Sequence, residues 1–250
     1  MTELTLPTTR DEEWRYADPD ALAQFAPADL DVWHDVTLAP GEMRSKALIL
    51  DDAYPGLHRV RLTVGEGARA EIFSVASASA YTRLEVEVRL ARGAHFEFGG
   101  VTIGGGEATR EFVTRTVHAE PEATSNQVVR AVHWGTATGN FLGRIDVARH
   151  AQQTDAAQDF KGLLLERGAS ANAKPELEIF ADDVKCAHGA AIGQMDEMAR
   201  YYMAARGIPP EVAKKLLVRA FIADAFVAVE DEAEQETLLD AALAALGDAV

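Results

Sequence analysis

"VGEGARAEI" at residues 64–72 and "LARGAHFEF" at 90–98 decide the fold, because the two frames match position by position. Each places an apolar residue first, Gly three positions on, Ala next, and Glu just before the last apolar residue. They start 26 residues apart (90 minus 64), and "LERGASANA" at 165–173 opens the same way a further 75 residues on (165 minus 90). Read as three more equal steps, the spacing predicts a coil of about 25 residues. Between such corners "HRVRLTV" (58–64), "RLEVEVRL" (83–90), "AHFEF" (94–98), "REFVTRTV" (110–117), "NQVVRAV" (126–132) and "FLGRIDV" (141–147) alternate apolar with polar residues, the period of a strand. Short strands joined by Gly-Ala corners, with no long helix between them, suit a solenoid whose coils bury inward residues against the coils above and below. A β-sandwich of the same strands is the alternative that three imperfect copies leave open.

The flanks have a different period. In "TTRDEEWRYADPDAL" (8–22) Thr9 or Asp11 is expected to cap a short helix that Asp18-Pro19 ends. Three helices are expected after Gly193. The first, 196–207, starts at Asp196, stops at Gly207, and aligns Met198, Tyr201, Tyr202 and Ala205 as an apolar stripe. The second, 209–229, starts on prolines, and the third spans 236–246. They read as a C-terminal layer too apolar to stand alone. The expected division is a short segment at 1–40, a β core at 41–195 and helices at 196–250.

The chain has 250 residues, 48% of them hydrophobic and 26% charged, which is ordinary for a soluble globular protein. Its 40 acidic and 24 basic side chains give a net charge of −16, which repels phosphate backbones and anionic lipid. Nucleic acid and membrane are therefore not expected partners. No Lys or Arg follows Arg219, while eight acids from Asp224 to Asp248 do, giving a solvated acidic helix face or a docking face for a basic partner. A single cysteine rules out an internal disulfide framework and fits a reducing cytosol. No basic region followed by an apolar run marks the first residues, so neither export nor membrane spanning is expected.

Most enzyme signatures are missing: the chain has no GxxxxGK[ST], GxGxxG, HExxH or GxSxG. "GGVTIGGGEATR" (99–110) lacks a Lys for phosphate and reads as a turn. The acid pairs Asp51-Asp52 and Asp182-Asp183 fall where corners are expected, and the seven histidines are scattered. One pair draws notice, Cys186 and His188. Residues two apart on a strand point to one face, so thiol and imidazole could share a soft metal ion, or the imidazole could favour the thiolate. Two ligands do not complete a site, and a buried Cys beside an exposed His is the structural alternative.

"DEEWRY" (11–16), "LLLERGASANAKPELEIFADDVKCAHGAAIGQMDE" (163–197) and "YYMAARGIPPEVAKKLLVRAF" (201–221) together resemble the SufB/SufD family, scaffold subunits of the SUF iron-sulfur cluster assembly machine. The single thiol and short length point to the SufD side. The resemblance implies a right-handed parallel β-helix with a helical C-terminal domain, and a complex of one SufB, one SufD and two copies of the ATPase SufC. It implies that the chain is not itself an enzyme, that SufC uses the ATP, and that the helices grip SufC through Arg206, Lys214, Lys215, Leu216, Leu217 and Phe221. It also implies that His188, with Cys186 beside it, faces a SufB cysteine and holds iron or a nascent cluster transiently, with no stably bound cofactor and no flavin site. A cytoplasmic location and homodimers of the isolated chain are further expectations. Family members carry a longer helical region before the β-helix, whereas here "EEWRY" stands near the start. The rival functions are a polysaccharide lyase or hydrolase built on a β-helix, or an unrelated self-associating module.

Overall fold

The computed structural model of the chain describes residues 6–247. Among these residues twelve strands wind into a parallel β-helix. The odd-numbered ones are β1 (His34–Leu38), β3 (Gly56–Val64), β5 (Thr82–Leu90), β7 (Thr109–His118), β9 (Thr138–Val147) and β11 (Ser170–Ile179), stacked in that order as one sheet. The even-numbered ones are β2 (Met43–Leu50), β4 (Arg69–Ala76), β6 (His95–Gly104), β8 (Thr124–His133), β10 (Thr154–Leu164) and β12 (Val184–Gln194), stacked as the second. The chain alternates between the sheets, so every neighbour within a sheet is parallel and one coil away. Solenoid and not sandwich is the outcome.

The coil is longer than the repeat predicts, and it grows. Met43 pairs with Arg69, 26 residues on (69 minus 43), but Thr138 pairs with Ser170, 32 on (170 minus 138). The added length lies partly in the strands, which run from 8 residues in β4 to 11 in β10. The third copy of the corner frame was also misplaced by the even-step reading. Residues 64–72 and 90–98 turn from β3 to β4 and from β5 to β6, whereas 165–173 turns from β10 to β11, on the opposite side of the solenoid. The 75 residues are thus two and a half coils of about 30. Gly-Ala chemistry recurs on both sides because both corners need a small buried residue: Ala68, Ala94 and Ala123 stack on one, Ala108, Ala137 and Ala169 on the other.

Inward residues of the two sheets form one apolar core. Phe98 meets Phe112 edge to face with ring centroids 5.5 Å apart, and Phe141 stacks with Phe160 at 6.0 Å. Gly100 lies under the Phe112 ring, where an added Cβ would come within 2.7 Å. Both outer faces are covered. The first strand already lies within residues 1–40, and the stretch before it straps the first sheet with Trp14, Leu22 and Tyr81 in a small core of their own. Asp18-Pro19 starts a helix there instead of ending one: α1 (Pro19–Leu22) takes its N-cap from the Asp18 carboxylate, which accepts from the Asp20 and Ala21 amides, with Pro at its first position.

The C-terminal helices are α2 (Glu197–Ala205), α3 (Pro210–Ala223) and α4 (Glu232–Ala244), the last starting four residues before the expected 236 (236 minus 232). Asp231 caps it, accepting from the Ala233 and Glu234 amides. Val218, Ile222, Phe226, Leu238 and Ala242 share a core with Phe73, Val75, Val101, Ile103 and Val132 on the outer face of the second sheet. The apolar faces of α3 and α4 therefore cover the side of the β-helix, not its end. By contrast α2 leaves Met198, Tyr201 and Tyr202 in solvent.

Candidate functional site

Cys186 and His188 both lie on β12, the last rung of the second sheet and one of its edges. In register, Cys186 sits over Ala156 and His188 over Gln158 of β10. Ala156, Gln158 and Phe160 are buried with the same alternation, so Cys186 and His188 share the face that turns toward the solenoid axis. Nothing among the described residues stacks beyond this rung, and exposure separates the two side chains. Cys186 is half-buried against Ile145, Val147, Ala151, Ala156 and Ala181, while His188 is exposed. Burial, with the Asp155 carboxylate as a lesser cause, pushes the Cys186 thiol above its ordinary range. A protonated thiol is a poor nucleophile and becomes a ligand only when a metal ion displaces its proton.

The pair does not make a complete metal centre: among the described residues no group of three or more His, Cys, Asp or Glu side chains is placed to hold an ion. The two sheet edges at this end differ in a way that matters for docking. β11 carries Lys174, Pro175, Glu176 and Glu178, and a Pro and charges on an edge discourage strand pairing. β12 reads "VKCAHGAAIGQ", small and nearly uncharged along its length, and its outer hydrogen-bonding side is unpaired among the described residues.

The expected helix residues are spread over α3 and its entry. Arg206 is exposed and bound within its own helix hairpin, donating to the Tyr202 hydroxyl at 2.7 Å and stacking 4.7 Å from that ring. Lys215 and Leu216 are exposed, and Lys214 is half-buried. Leu217 and Phe221 are half-buried and line a cavity of about 380 Å³ with Lys161, Ile192 and Met195. Phe221 is committed to the interior as well, 6.0 Å from the buried Arg130 guanidinium. The strand β12 thus carries Cys186 and His188 in its first half and ends beside α3. Met198, Tyr201, Tyr202, Val212 and Leu216 extend the apolar surface of the helices outward.

The other sequence features have structural work. Asp52 accepts from the Ser79 amide and hydroxyl at 2.6 and 2.7 Å, tying one corner to the next, and Asp51 accepts from the Ala53 amide. "GGVTIGGGEATR" includes the corner after β6, where Gly106 has φ +75. Sequence reasoning missed Gln158, which lies under His188, since one polar residue in an alternating strand carries no mark of whether it faces in.

A family model described as "SUF system FeS cluster assembly, SufBD core domain" matches residues 42–221. The chain belongs to the SufBD family. The iron-sulfur cluster assembly protein SufD of Escherichia coli is 35% identical over 122 residues, 49% of this chain and 29% of that protein. The chloroplastic protein ABCI7 of Arabidopsis thaliana is 40% identical over 116 residues, 46% of this chain and 24% of that one. SufD of Bacillus subtilis is 32% identical over 123 residues, 49% and 28% of the two chains. The chain thus spans less than a third of the length of these curated relatives.

Proposed function

We propose that this SufBD chain is a non-catalytic scaffold of iron-sulfur cluster assembly, SufD-like, working in the cytoplasm. Its division of labour follows the elements: residues 41–195 as the β-helix core and 196–250 as the layer that docks the ATPase SufC, which alone uses ATP. The β-helix pairs with that of SufB at the β12 edge, and iron or a nascent cluster is the cargo held there. His188 and Cys186 supply part of its ligands and a SufB cysteine another part.

One observation carries this reading: the only thiol of the chain and an exposed imidazole share the inward face of an unpaired edge strand made of small residues. Such a strand accepts a partner strand by backbone hydrogen bonds, and the partner then completes a donor set that two side chains cannot. Co-expression with SufB and SufC followed by affinity capture of this chain tests the scaffold, and a stoichiometric ATPase in the eluate is expected. In the same complex His188→Ala is expected to leave subunit composition intact and to lower cluster formation in cells at least ten-fold. Full cluster formation by that variant removes His188 from the mechanism.

A further inference from the structure

The interior column that ends at His188 changes character one rung below it. On the rung of β7 and β8, Gln127 is buried and paired through both amide atoms: Thr114 Oγ1 donates to its Oε1 at 2.5 Å, and its Nε2 donates to Thr116 Oγ1 at 3.2 Å. On the next rung β10 sets Gln158 over Gln127, but β9 sets Gly143 over Thr114 and Ile145 over Thr116. The facing hydroxyls are gone. Gln158 is 2% exposed, and neither Nε2 nor Oε1 has a hydrogen-bond partner among the described residues. It fills the space beside Gly143, where an added Cβ would stand 2.8 Å from Nε2. On the last rung β11 offers Pro175 over Gly143 and Leu177 over Ile145, side chains with no polar atom, while β12 sets His188 directly over Gln158. Neighbouring rungs are about 4.8 Å apart, so an amide and an imidazole in one column can touch.

We propose that Gln158 is the positioning residue for His188. Its amide oxygen accepts the inward N–H of the imidazole when the ring turns toward the axis. That fixes one tautomer and leaves the other ring nitrogen unprotonated, facing out of the last rung. Neutral imidazole has one donor and one acceptor nitrogen, and histidines that bind metal commonly give the second N–H to a carbonyl or carboxylate. Buried amides are normally paired, and His188 is the polar side chain that the next rung of this column supplies. The value of the outward nitrogen as a ligand rests on the scaffold reading above; the contact itself does not.

The test uses the full chain labelled with ¹⁵N, and the ring ¹⁵N shifts of His188, identified by their loss in His188→Ala. Widely separated shifts of a single tautomer are expected in the native chain. Gln158→Met, similar in volume, is expected to average them, and Gln158→Glu to keep them apart. Ile145→Thr gives Gln158 Nε2 the acceptor that Thr116 gives Gln127 Nε2 and leaves the amide oxygen to His188, so it is expected to keep the single tautomer. Affinity for Co²⁺ alone is expected to fall about ten-fold in Gln158→Met. Averaged shifts in the native chain or in Ile145→Thr, or shifts unchanged in Gln158→Met, overturn the assignment. If the tautomer responds to Gln158 but His188→Ala forms clusters normally, the contact stands and the ligand role falls.

Discussion

Trp14 stacks on Arg83, its ring centroid 3.8 Å from the guanidinium carbon, and Arg83 is fully buried beneath it. The guanidinium donates to Glu85 at 2.6 Å, to Glu111 at 3.1 Å and to the Glu13 carbonyl at 2.7 Å. Glu111 also accepts from the Tyr81 hydroxyl and from Asn140, which donates in turn to the Tyr16 carbonyl. "DEEWRY" is thus the lid of an ion network on the outer face of the first sheet, and that network stays dry only while the indole covers it.

Trp14→Ala is therefore expected to cost about 3 kcal/mol, at the lower end of large aromatic truncations because the strap lies at the periphery. Urea unfolding measures the loss. Amide exchange should rise first in residues 11–25 and leave β6 and β8 protected. Uniform exchange across the chain would show that the strap is not a separate layer.

Arg130 joins the helical layer to the second sheet. From β8 it donates through Nε to Asp224, in the turn after α3, at 3.0 Å, and through NH1 to the Asp159 carbonyl at 3.1 Å; its NH2 also meets both carboxylates. The carboxylates are part exposed and can rehydrate, whereas the guanidinium is buried. Arg130→Met should cost about 2 kcal/mol, and Asp224→Asn less, since Asp159 remains. Thermal unfolding of the two variants, compared at one pH, checks the order.

His118 and His133 face the interior, and burial lowers their pKa to about 4 and about 3, the Arg110 guanidinium adding to the effect on His133. Both folded values lie below the unfolded value near 6.5, so below pH 6.5 the unfolded chain binds protons that the folded chain refuses. Stability falls as pH drops from about 6.5 toward 4, by about 1.4 kcal/mol per pH unit for each histidine in that window. Urea midpoints between pH 4.5 and 7.5 should show this slope. His118→Asn should reduce it by one histidine's share.

Because burial raises its pKa, Cys186 should react with iodoacetamide at pH 8 several-fold more slowly than free cysteine. Asp155→Asn, which removes the lesser cause, should recover only part of the difference. A rate equal to that of free cysteine would place the thiol in solvent.

Leu216 is 47% and Tyr201 73% exposed, so Leu216→Asp and Tyr201→Asp should change stability by less than about 1 kcal/mol. Both are expected to lose SufC in the capture experiment, as is Lys215→Glu. Retention of SufC by all three would move the docking surface away from α2 and α3.

Repetition made the β-helix legible. Gly-Ala corners and period-two strands survive in any single copy, because each coil must solve the same packing problem. The count of residues per coil was not legible, since corners on opposite sides of the solenoid use the same chemistry and a half-turn looks like a whole one. Asp196 and Gly207 were readable as the ends of α2 because capping is local. The apolar stripe Met198, Tyr201 and Tyr202 was legible as one face of α2, but its exposure was not, because periodicity reports a face and never its cover.

By itself the sequence determined the strand periods, the corner chemistry and the placement of Cys186 and His188 on one face of one strand. Only the tertiary structure decided that this strand ends the stack, that Gln158 lies under His188 without a hydroxyl to bind, and that Trp14 seals Arg83. Spacing along the chain fixes what a strand presents to each side. Which rung lies above or below is a matter of register between residues about 30 apart, and that is set by the packing of the whole solenoid.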